Sequence, residues 1–453
     1  MATRKTKSTA EKAVSIADGF QNVVANLGTA RDKNAHNGYA QTFLTSETAL
    51  AMYEVSWLAA SIVDYPAEDA TRKWRFWRAD AEQITAIEAV EKKLQLKKRV
   101  EEALIASRLY GGAAIFINTD SGDAEKPMRE NERIKSLVVM TKNTLQPVEI
   151  VRDINSEYFG APEYFRLSSA GGNLVTIHAS RLVIFQGAPV PGDPGTISTD
   201  QWWGNSALKV TMDAVTSMDA TMANMASLVF EAKVDVFRFK GFADLVSQNS
   251  PEIDAMLSRR LTTQALMKGI NGAVVIDAED DYEQKSANFG GLPDVVTKFM
   301  DAVSGAARIP VTRLYGRAAV GLSGSGDGDE RVYFDRVSKH QNNDISPAMA
   351  TLDDLIITQA LGSRPPEIHY QWAPLRQQSE TERAEIFVKT ANAARALAGT
   401  SAGEIIPLDA LSDAVVNELT EQGVLPGLEK AIKEYGTLSE QGLPGDGNFD
   451  QDV

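Results

Sequence analysis

The segment over residues 284–330 constrains the fold more than any other part of this chain. A helix is predicted over residues 292–308, and it runs into Ile309-Pro310. Proline lacks an amide donor and disfavours helical backbone at the preceding residue, so this helix must stop or kink there. The glycine-, serine- and aspartate-rich stretch 321–329 follows, and we expect a mobile, solvent-facing loop because it has no apolar anchor after Leu322. A long helix is predicted over residues 330–361. This arrangement indicates a mechanical element.

The composition is that of an ordinary globular protein. The 453 residues are 43% hydrophobic and 24% charged, which is enough for two or three modest cores. The absence of cysteine excludes disulfides and thiolate metal sites. The formal net charge of -15 argues against a general nucleic-acid binder, because phosphate contacts normally need a basic surface. No run of about 18 apolar residues occurs, so we expect neither a membrane span nor a secretory signal, and we expect use in the host cytosol.

The first half of the chain predicts an α+β domain. A helix over 46–64 is punctuated by Pro66, and a second helix over 81–110 is closed by Gly111-Gly112. Breaker residues over 188–195 mark the best candidate boundary. The predicted strands lie at 113–118, 134–140, 146–150, 164–167 and 174–178.

The second half predicts a small module inserted between two helices. The helix over 206–232 carries a methionine-rich apolar stripe that includes Met212, Met218, Met222 and Met225. Methionine tolerates irregular packing, which suits a helix that slides against its copy in a neighbouring subunit; ordinary core packing is the alternative. After it come predicted strands at 234–239, 273–276 and 282–288 and a helix over 250–268. The strand 367–372 and helices over 379–397 and 407–419 follow the long helix 330–361.

No motif predicts chemistry, so we expect no enzyme, cofactor or metal. The run Gly324-Ser325-Gly326-Asp327-Gly328 lacks the Gly-Lys-Ser/Thr of a phosphate-binding loop, and the acidic residues after it lack the spacing of a calcium loop. His178 and His369 lie in strand-like runs and are expected to be core or edge residues. We interpret Asp353-Asp354 as a solvated surface, since adjacent residues face different sides of a helix.

Seven motifs in family order resemble a phage portal protein, the ring subunit at one vertex of a tailed-phage head. They cover roughly residues 40–375, and the two ends of the chain carry no match. The motifs are 63–72 (VDYPAEDATR), 74–77 (WRFW), 107–114 (SRLYGGAA), 178–187 (HASRLVIFQG), 203–206 (WGNS), 288–293 (NFGGLP) and 309–316 (IPVTRLYG).

The resemblance implies an α+β, portal-like multidomain subunit, with wing, stem helices, clip and crown, that forms a ring. The implied segments are a flexible basic arm (1–38), the wing (39–204 and 310–375), two stem helices (205–232 and 291–309), the clip (233–290), a tunnel loop (317–329), crown helices (376–435) and an acidic disordered tail (436–453).

The resemblance also implies a function. The chain would be a virion protein assembled in the host bacterial cytoplasm, in a ring of about 12 copies by family analogy. Double-stranded DNA would pass through the ring during packaging and ejection, and the terminase large subunit, a head-tail adaptor and the major capsid or scaffold protein would bind it. A non-enzymatic scaffold or peptide-binding module of a phage particle is the alternative.

The expected site residues follow from these roles. The helix kink would lie at Pro310, and the methionine stripe would form the stem and oligomer interface. Arg313 and Arg317 could contact phosphates at the channel constriction, with a structural ion pair as the other interpretation. The channel and tunnel-loop residues would be Arg313, Arg317, Gly321, Ser323, Gly324, Ser325 and Gly326.

Overall fold

The structure is a computed structural model. The elements below belong to the unit formed by Ser46–Val453. The described residues are 44–168, 174–193, 196–230, 233–238, six positions between 251 and 262, 281–286, 290–316, 327–376, 380–397 and 414–416.

Two helices replace the single helix predicted over 46–64. They are α1 (Ser46–Val55) and α2 (Trp57–Arg72), and the side chain of Ser56 caps α2 by accepting a bond from the amide of Ala59 at 3.5 Å. Pro66 lies inside α2 and does not end it, so the prediction at this residue was wrong. The physical reason is a side chain from another helix, described below, that binds the carbonyls near the proline.

A similar break divides the helix predicted over 81–110. The helices α3 (Ala81–Leu94) and α4 (Leu96–Tyr110) meet at Gln95, whose φ of 52° is left-handed. Its amide donates to the carbonyls of Glu91 and Lys92. Because Leu94 and Leu96 are both buried, the turn allows two apolar residues that flank it to enter the core. The prediction of one continuous helix was therefore wrong.

Two three-stranded antiparallel sheets follow. Their strands are β2 (Gly112–Thr119), β3 (Ile134–Thr141), β4 (Leu145–Pro147), β5 (Tyr164–Ser168), β6 (Leu174–His178) and β7 (Leu182–Gln186). The strand orders are β3-β2-β7 and β4-β5-β6. The strands predicted in this region are confirmed, although β4 is shorter than expected, and β7 was not predicted as a strand.

A short strand pair joins distant parts of the chain. β1 (Arg75–Arg78) pairs antiparallel with β10 (His369–Trp372), with Arg75 opposite Trp372. The strand at β10 was predicted, but β1 was not. A four-residue strand rich in tryptophan and arginine has no alternating pattern long enough to identify from sequence.

Two packed helices and a strand pair form the next part. A short helix, α5 (Thr199–Trp202), precedes α6 (Leu208–Phe230), and α6 packs along α7 (Leu292–Ala307). The strands β8 (Lys233–Arg238) and β9 (Asp281–Ser286) pair antiparallel, with Lys233 opposite Ser286. The predicted helices and these two strands are confirmed, so the chain after α6 returns to α7 through paired strands. The predicted helix 250–268 and strand 273–276 lie largely outside the described residues.

The chain after α7 changes direction at Pro310. Arg308 has a left-handed φ of 57°, Pro310 caps α8 (Val311–Tyr315), and the break predicted at Pro310 is therefore present. The long helix predicted over 330–361 is two helices, α9 (Asp327–His340) and α10 (Ser346–Leu361), joined by the π-helical turn Gln341–Ile345.

The last described helix is α11 (Glu380–Leu397), which agrees with the helix predicted there. Three expectations lie outside the described residues: the basic arm 1–38, most of the helix over 407–419 and the acidic tail 436–453. Most of the candidate tunnel loop, residues 317–326, also lies outside them.

Candidate functional site

One buried carboxylate lies at the joint between α2 and the helices α8 and α9. Asp69 on α2 has no exposed surface. Its Oδ2 accepts a bond from Nε of Arg313 on α8 at 3.1 Å and one from the hydroxyl of Tyr333 on α9 at 2.8 Å. Its Oδ1 accepts from Nη2 of Arg313 at 3.3 Å. A buried charge is tolerated when it is paired and hydrogen-bonded, so Asp69 holds α8 and α9 against α2.

Arg313 therefore has a structural ion pair, which was the alternative to phosphate contact in the sequence analysis. Its guanidinium carbon also lies 4.2 Å from the ring centroid of Tyr65. Burial alone lowers the pKa of Arg313, but the hydrogen bonds and charge of Asp69 outweigh burial and raise it. Burial, followed by the Asp69 carboxylate, raises the pKa of Tyr333 well above its ordinary value. Arg313 therefore stays charged and Tyr333 stays neutral at neutral pH. Phosphate contact by Arg313 stays a prediction.

A second polar contact explains how Pro66 fits inside α2. Proline cannot donate the bond that the carbonyl of Ile62 would receive in a regular helix. Arg108 on α4 supplies it: Nη2 donates to the carbonyl of Ile62 at 2.7 Å and Nε donates to that of Val63 at 2.9 Å. Burial lowers the pKa of Arg108 to about 10, so it remains charged at neutral pH. Pro66 and Arg108 lie in two of the motifs, and the structure brings those motifs together.

A third cluster surrounds Arg75 on β1. Its Nη2 lies 2.7 Å from Oε1 of Glu91 and 2.6 Å from Oδ1 of Asp353, and its guanidinium lies 4.2 Å from the ring of Tyr370. Asp353 is 5% exposed, so its interpretation as solvated surface was wrong, whereas Asp354 is exposed and pairs with Arg364. Sequence alone could not show that Asp353 pairs with Arg75, because Arg75 lies 278 positions earlier in the chain. Burial raises the pKa of Asp353, and Arg75 opposes that rise.

The motif that begins at His178 organises the loop between β2 and β3. His178 is buried, as expected, and its Nδ1 lies 2.8 Å from the hydroxyl of Ser180. Arg181 donates from Nη1 and Nη2 to the two carboxylate oxygens of Glu132, both at 2.9 Å, and Thr119 also donates to Glu132. Burial raises the pKa of Glu132, but bonds from Arg181, Thr119 and Ser121 outweigh burial and lower it to about 2.

Three glycine-containing motifs meet at Trp203, which is 2% exposed. The amide of Gly187 donates to the carbonyls of Gly111 at 3.0 Å and Trp203 at 2.9 Å. A Cβ at Gly112 would overlap Cε3 of Trp203. Gly111, Gly112 and Gly187 therefore have no room for a Cβ atom, which gives a physical reason for glycine in these motifs. The surrounding core consists of Ala114, Leu145, Phe165, Ile177 and Leu182.

The members of the methionine stripe differ in how much of each side chain is exposed. Met218 is 5% exposed and Met222 is 48% exposed, while Met212 and Met225 are half-buried. Met218 therefore fits the core-packing alternative, and Met222 is free to meet another molecule. The other predicted site residues, Arg317, Gly321, Ser323, Gly324, Ser325 and Gly326, lie outside the described residues.

Sequence reasoning missed three residues that hold the joint together: Asp69, Arg108 and Tyr333. Asp69 and Arg108 lie inside portal-like motifs, so the motifs contained the signal but not the pairing. Tyr333 lies outside them. In the described parts of the chain, no group of three or more histidine or carboxylate side chains could hold a metal ion. No described helix is long and apolar enough to cross a membrane.

The fold is that of an α+β subunit in which two packed helices, α6 and α7, carry an inserted strand pair. After Pro310 the chain is held to α2 by the ion pair between Arg313 and the buried Asp69 carboxylate. The chain belongs to the phage portal protein family, whose model, described as "Phage portal protein", matches residues 47–396.

Two relatives and one solved structure illustrate the similarity. A Caulobacter protein named "Anti-CBASS protein Acb1" is 38% identical over 440 residues, which cover 94% of this chain and 70% of that protein. A Sphingomonas paeninsulae protein of the same name is 34% identical, covering 93% of this chain and 68% of that protein. The structure described as "Neck of empty GTA particle computed with C6 symmetry" has a TM-score of 0.50 at 14% identity, covering 83% of this chain and 94% of that one. That likeness supports the fold.

Proposed function

We propose that this chain is the portal vertex subunit of a tailed bacteriophage. By family analogy, it assembles into a closed ring of about 12 copies. Contacts between two different faces of neighbouring subunits produce a ring when the rotations from one subunit to the next add up to a full turn. The ring conducts double-stranded DNA during packaging and ejection. It also binds the terminase large subunit, a head-tail adaptor and the capsid or scaffold protein. Family membership supports the proposal.

The helix pair α6 and α7 is the observation that carries the proposal. Several large apolar side chains exposed on one packed helix pair favour a surface that another molecule covers. On α6, Val210 is 72%, Met222 48% and Leu228 45% exposed, and on α7 Val295 is 45% exposed. Neighbouring copies in a ring would cover these side chains. We therefore assign α6 and α7 as the stem helices.

The remaining segments take their roles from this assignment. The strand pair β8 and β9 belongs to the clip over residues 233–290, which would bind the terminase and then the adaptor. The wing comprises residues 39–204 and 310–375, and α11 lies in the crown over residues 376–435. The tunnel loop of residues 317–329 would project into the channel.

The charge of the stem helices supports a conduit that does not hold DNA. The helix α6 carries Asp213 and Asp219 against Lys209, and α7 carries Asp294 and Asp301 against Lys298. Each phosphate contact that releases counterions strengthens binding, so an acidic stem keeps the duplex from sticking.

Duplex binding and packaging test the proposed conduit. Isolated rings should bind duplex DNA weakly, without sequence preference, and lose it at modest salt. Ser323→Lys with Ser325→Lys should tighten binding and reduce packaging in the phage, whereas Ser323→Asn with Ser325→Asn should change neither. Tight, sequence-specific binding by the unmodified ring at physiological salt would contradict the conduit.

The name of the two relatives raises a second function. This chain covers 70% of the Caulobacter protein, which leaves 30% of that protein outside the match. We assign the portal role to the shared part and the anti-CBASS role to the part that this chain does not match. Expression of this chain alone should therefore fail to protect a phage from CBASS. Protection by this chain alone would reverse the assignment.

A further inference from the structure

The π-helical turn between α9 and α10 sets which residues of α9 face the core. Its defining bond runs from the amide of Ser346 to the carbonyl of Gln341, five residues back. The hydroxyl of Ser346 donates to the same carbonyl at 3.0 Å, and the side chain of Asn342 donates to the carbonyl of Ser338 at 2.9 Å. Side chains thus bind the carbonyls that a widened turn leaves poorly paired.

The spacing of buried residues shows what the turn achieves. Tyr333, Val337, Gln341, Ile345 and Met349 are all buried and lie four positions apart. In a regular helix of 3.6 residues per turn, 16 positions end about 160° from the starting direction. One extra residue taken up by a π turn reduces the difference to about 60°. The turn therefore brings Tyr333 to Asp69 while α10 keeps its own face in the core.

The side of the joint that contains α8 has left-handed backbone at both ends. Arg308 precedes it with a φ of 57°, and Gly316 follows it with a φ of 65°. The hydroxyls of Thr312 and Tyr315 on α8 are buried without a hydrogen-bond partner. Unpaired buried hydroxyls and left-handed arginine backbone both cost free energy, so the position of α8 depends on contacts elsewhere.

We propose that α8 and α9 form one two-position element, with Asp69 as its latch and the π turn as its register hinge. In the observed position Asp69 binds Arg313 and Tyr333 together. In the second position the π turn becomes regular helix, α9 rotates by about 100°, and Tyr333 leaves Asp69. When Tyr333 leaves, Asp69 binds Arg313 less firmly, so α8 is held less firmly as well. The proposal concerns motion within one subunit and does not depend on whether the ring conducts DNA.

Hydrogen exchange measured by mass spectrometry on the full chain tests the coupling. Tyr333→Phe removes one hydroxyl from α9 and changes nothing on α8. The element predicts exchange that is about tenfold faster in peptides from both α9 and α8, with α10 unchanged. Tyr53→Phe is the matched control, since it removes a tyrosine hydroxyl that donates to a different carboxylate of α2, Oδ1 of Asp64, at 3.0 Å, and it should leave both helices at wild-type rates. Faster exchange in α9 alone would overturn the coupling.

Deletion of Asn343, an exposed residue of the π turn, tests the hinge. Without it the turn should become regular helix, and α8 and α9 should exchange as fast as in Tyr333→Phe while α10 keeps its protection. Asn343→Ala keeps the residue count and should behave as wild type. Wild-type exchange in the deletion variant would overturn the register hinge, as would equal loss of protection in α9 and α10.

Discussion

Asp69 and Arg313 lie 244 positions apart in the chain, yet Nε of Arg313 is 3.1 Å from Oδ2 of the buried Asp69 carboxylate. This ion pair connects α2 to the short helix that follows Pro310. Each partner lies in a different portal-like motif, so the motifs specify a joint between two parts of the subunit.

Arg313→Ala should lower the free energy of unfolding by about 3 kcal/mol, because it leaves the buried Asp69 charge with the Tyr333 hydroxyl and the more distant Arg72, whose Nη1 lies 3.8 Å from Oδ1. Urea denaturation followed by circular dichroism measures this. Lys389→Ala breaks an exposed pair with Glu385 on α11 and should cost less than about 1 kcal/mol. If Arg313→Ala were as mild as this control, the arginine would be free for phosphate contact and the joint would not depend on it.

Arg108 and Pro66 should be energetically coupled. Arg108→Ala leaves the carbonyl of Ile62 without a donor, and we expect a cost of about 2 kcal/mol. In a Pro66→Ala background the new amide can bond to that carbonyl, so the same arginine substitution should cost about 1 kcal/mol less. The four denaturation curves of this double-mutant cycle give the coupling energy. Additive effects would show that Arg108 does not compensate for the proline.

The Glu132–Arg181 pair predicts a particular acid sensitivity. The folded pKa of Glu132, about 2, lies below its ordinary value of 4.5, so the pair stabilises the fold above that ordinary value. The contribution is lost as the pH falls from about 4.5 towards 2. Unfolding midpoints across this range should therefore decline less steeply for Glu132→Gln than for the wild type. Glu102→Gln, at a half-buried ion pair with Arg99, should keep the wild-type slope. Identical slopes in all three proteins would contradict the prediction.

Gly112→Ala should destabilise the sheet domain by about 2 kcal/mol or prevent folding, since the added methyl group overlaps the ring of Trp203. Gly305→Ala is the matched control, because a Cβ there meets nothing within 4 Å and the residue lies inside α7. That control should be neutral or slightly stabilising. Thermal melts of the two variants compare them directly, and equal melting temperatures would show that the contact at Gly112 is not needed.

Sequence patterns predicted α6, α7 and most strands of the two sheets well, because their signals are local. The spacing of apolar residues gave α6 and α7, and proline chemistry gave the break at Pro310. The strands of the two sheets have apolar runs and turn residues around them. The kink at Gln95 has no such signal, since Lys, Leu and Gln are all good helix formers.

Long-range pairings could not be predicted. A proline usually ends a helix, but at Pro66 the side chain of Arg108 on α4 replaces the amide donor that proline lacks. Asp353 looked like surface because its partner Arg75 lies on a strand that sequence patterns did not reveal. The π turn was missed for the same reason: it is stabilised by packing against α2, through a bond of 2.7 Å from Gln341 to the carbonyl of Ala70.

The most direct measurement of the central claim is the mass of the purified assembly with Met222→Asp, determined by native mass spectrometry and negative-stain imaging. The wild-type chain should form rings. Met222→Asp should give monomers or small oligomers with unchanged circular dichroism, because a charge enters a contact between copies. Ala220→Asp, about 160° away around the same helix, adds an equal charge at an exposed site and should still form rings. A wild-type chain that stays monomeric at every concentration and ionic strength would contradict the ring, and intact rings of Met222→Asp would contradict α6 as its interface.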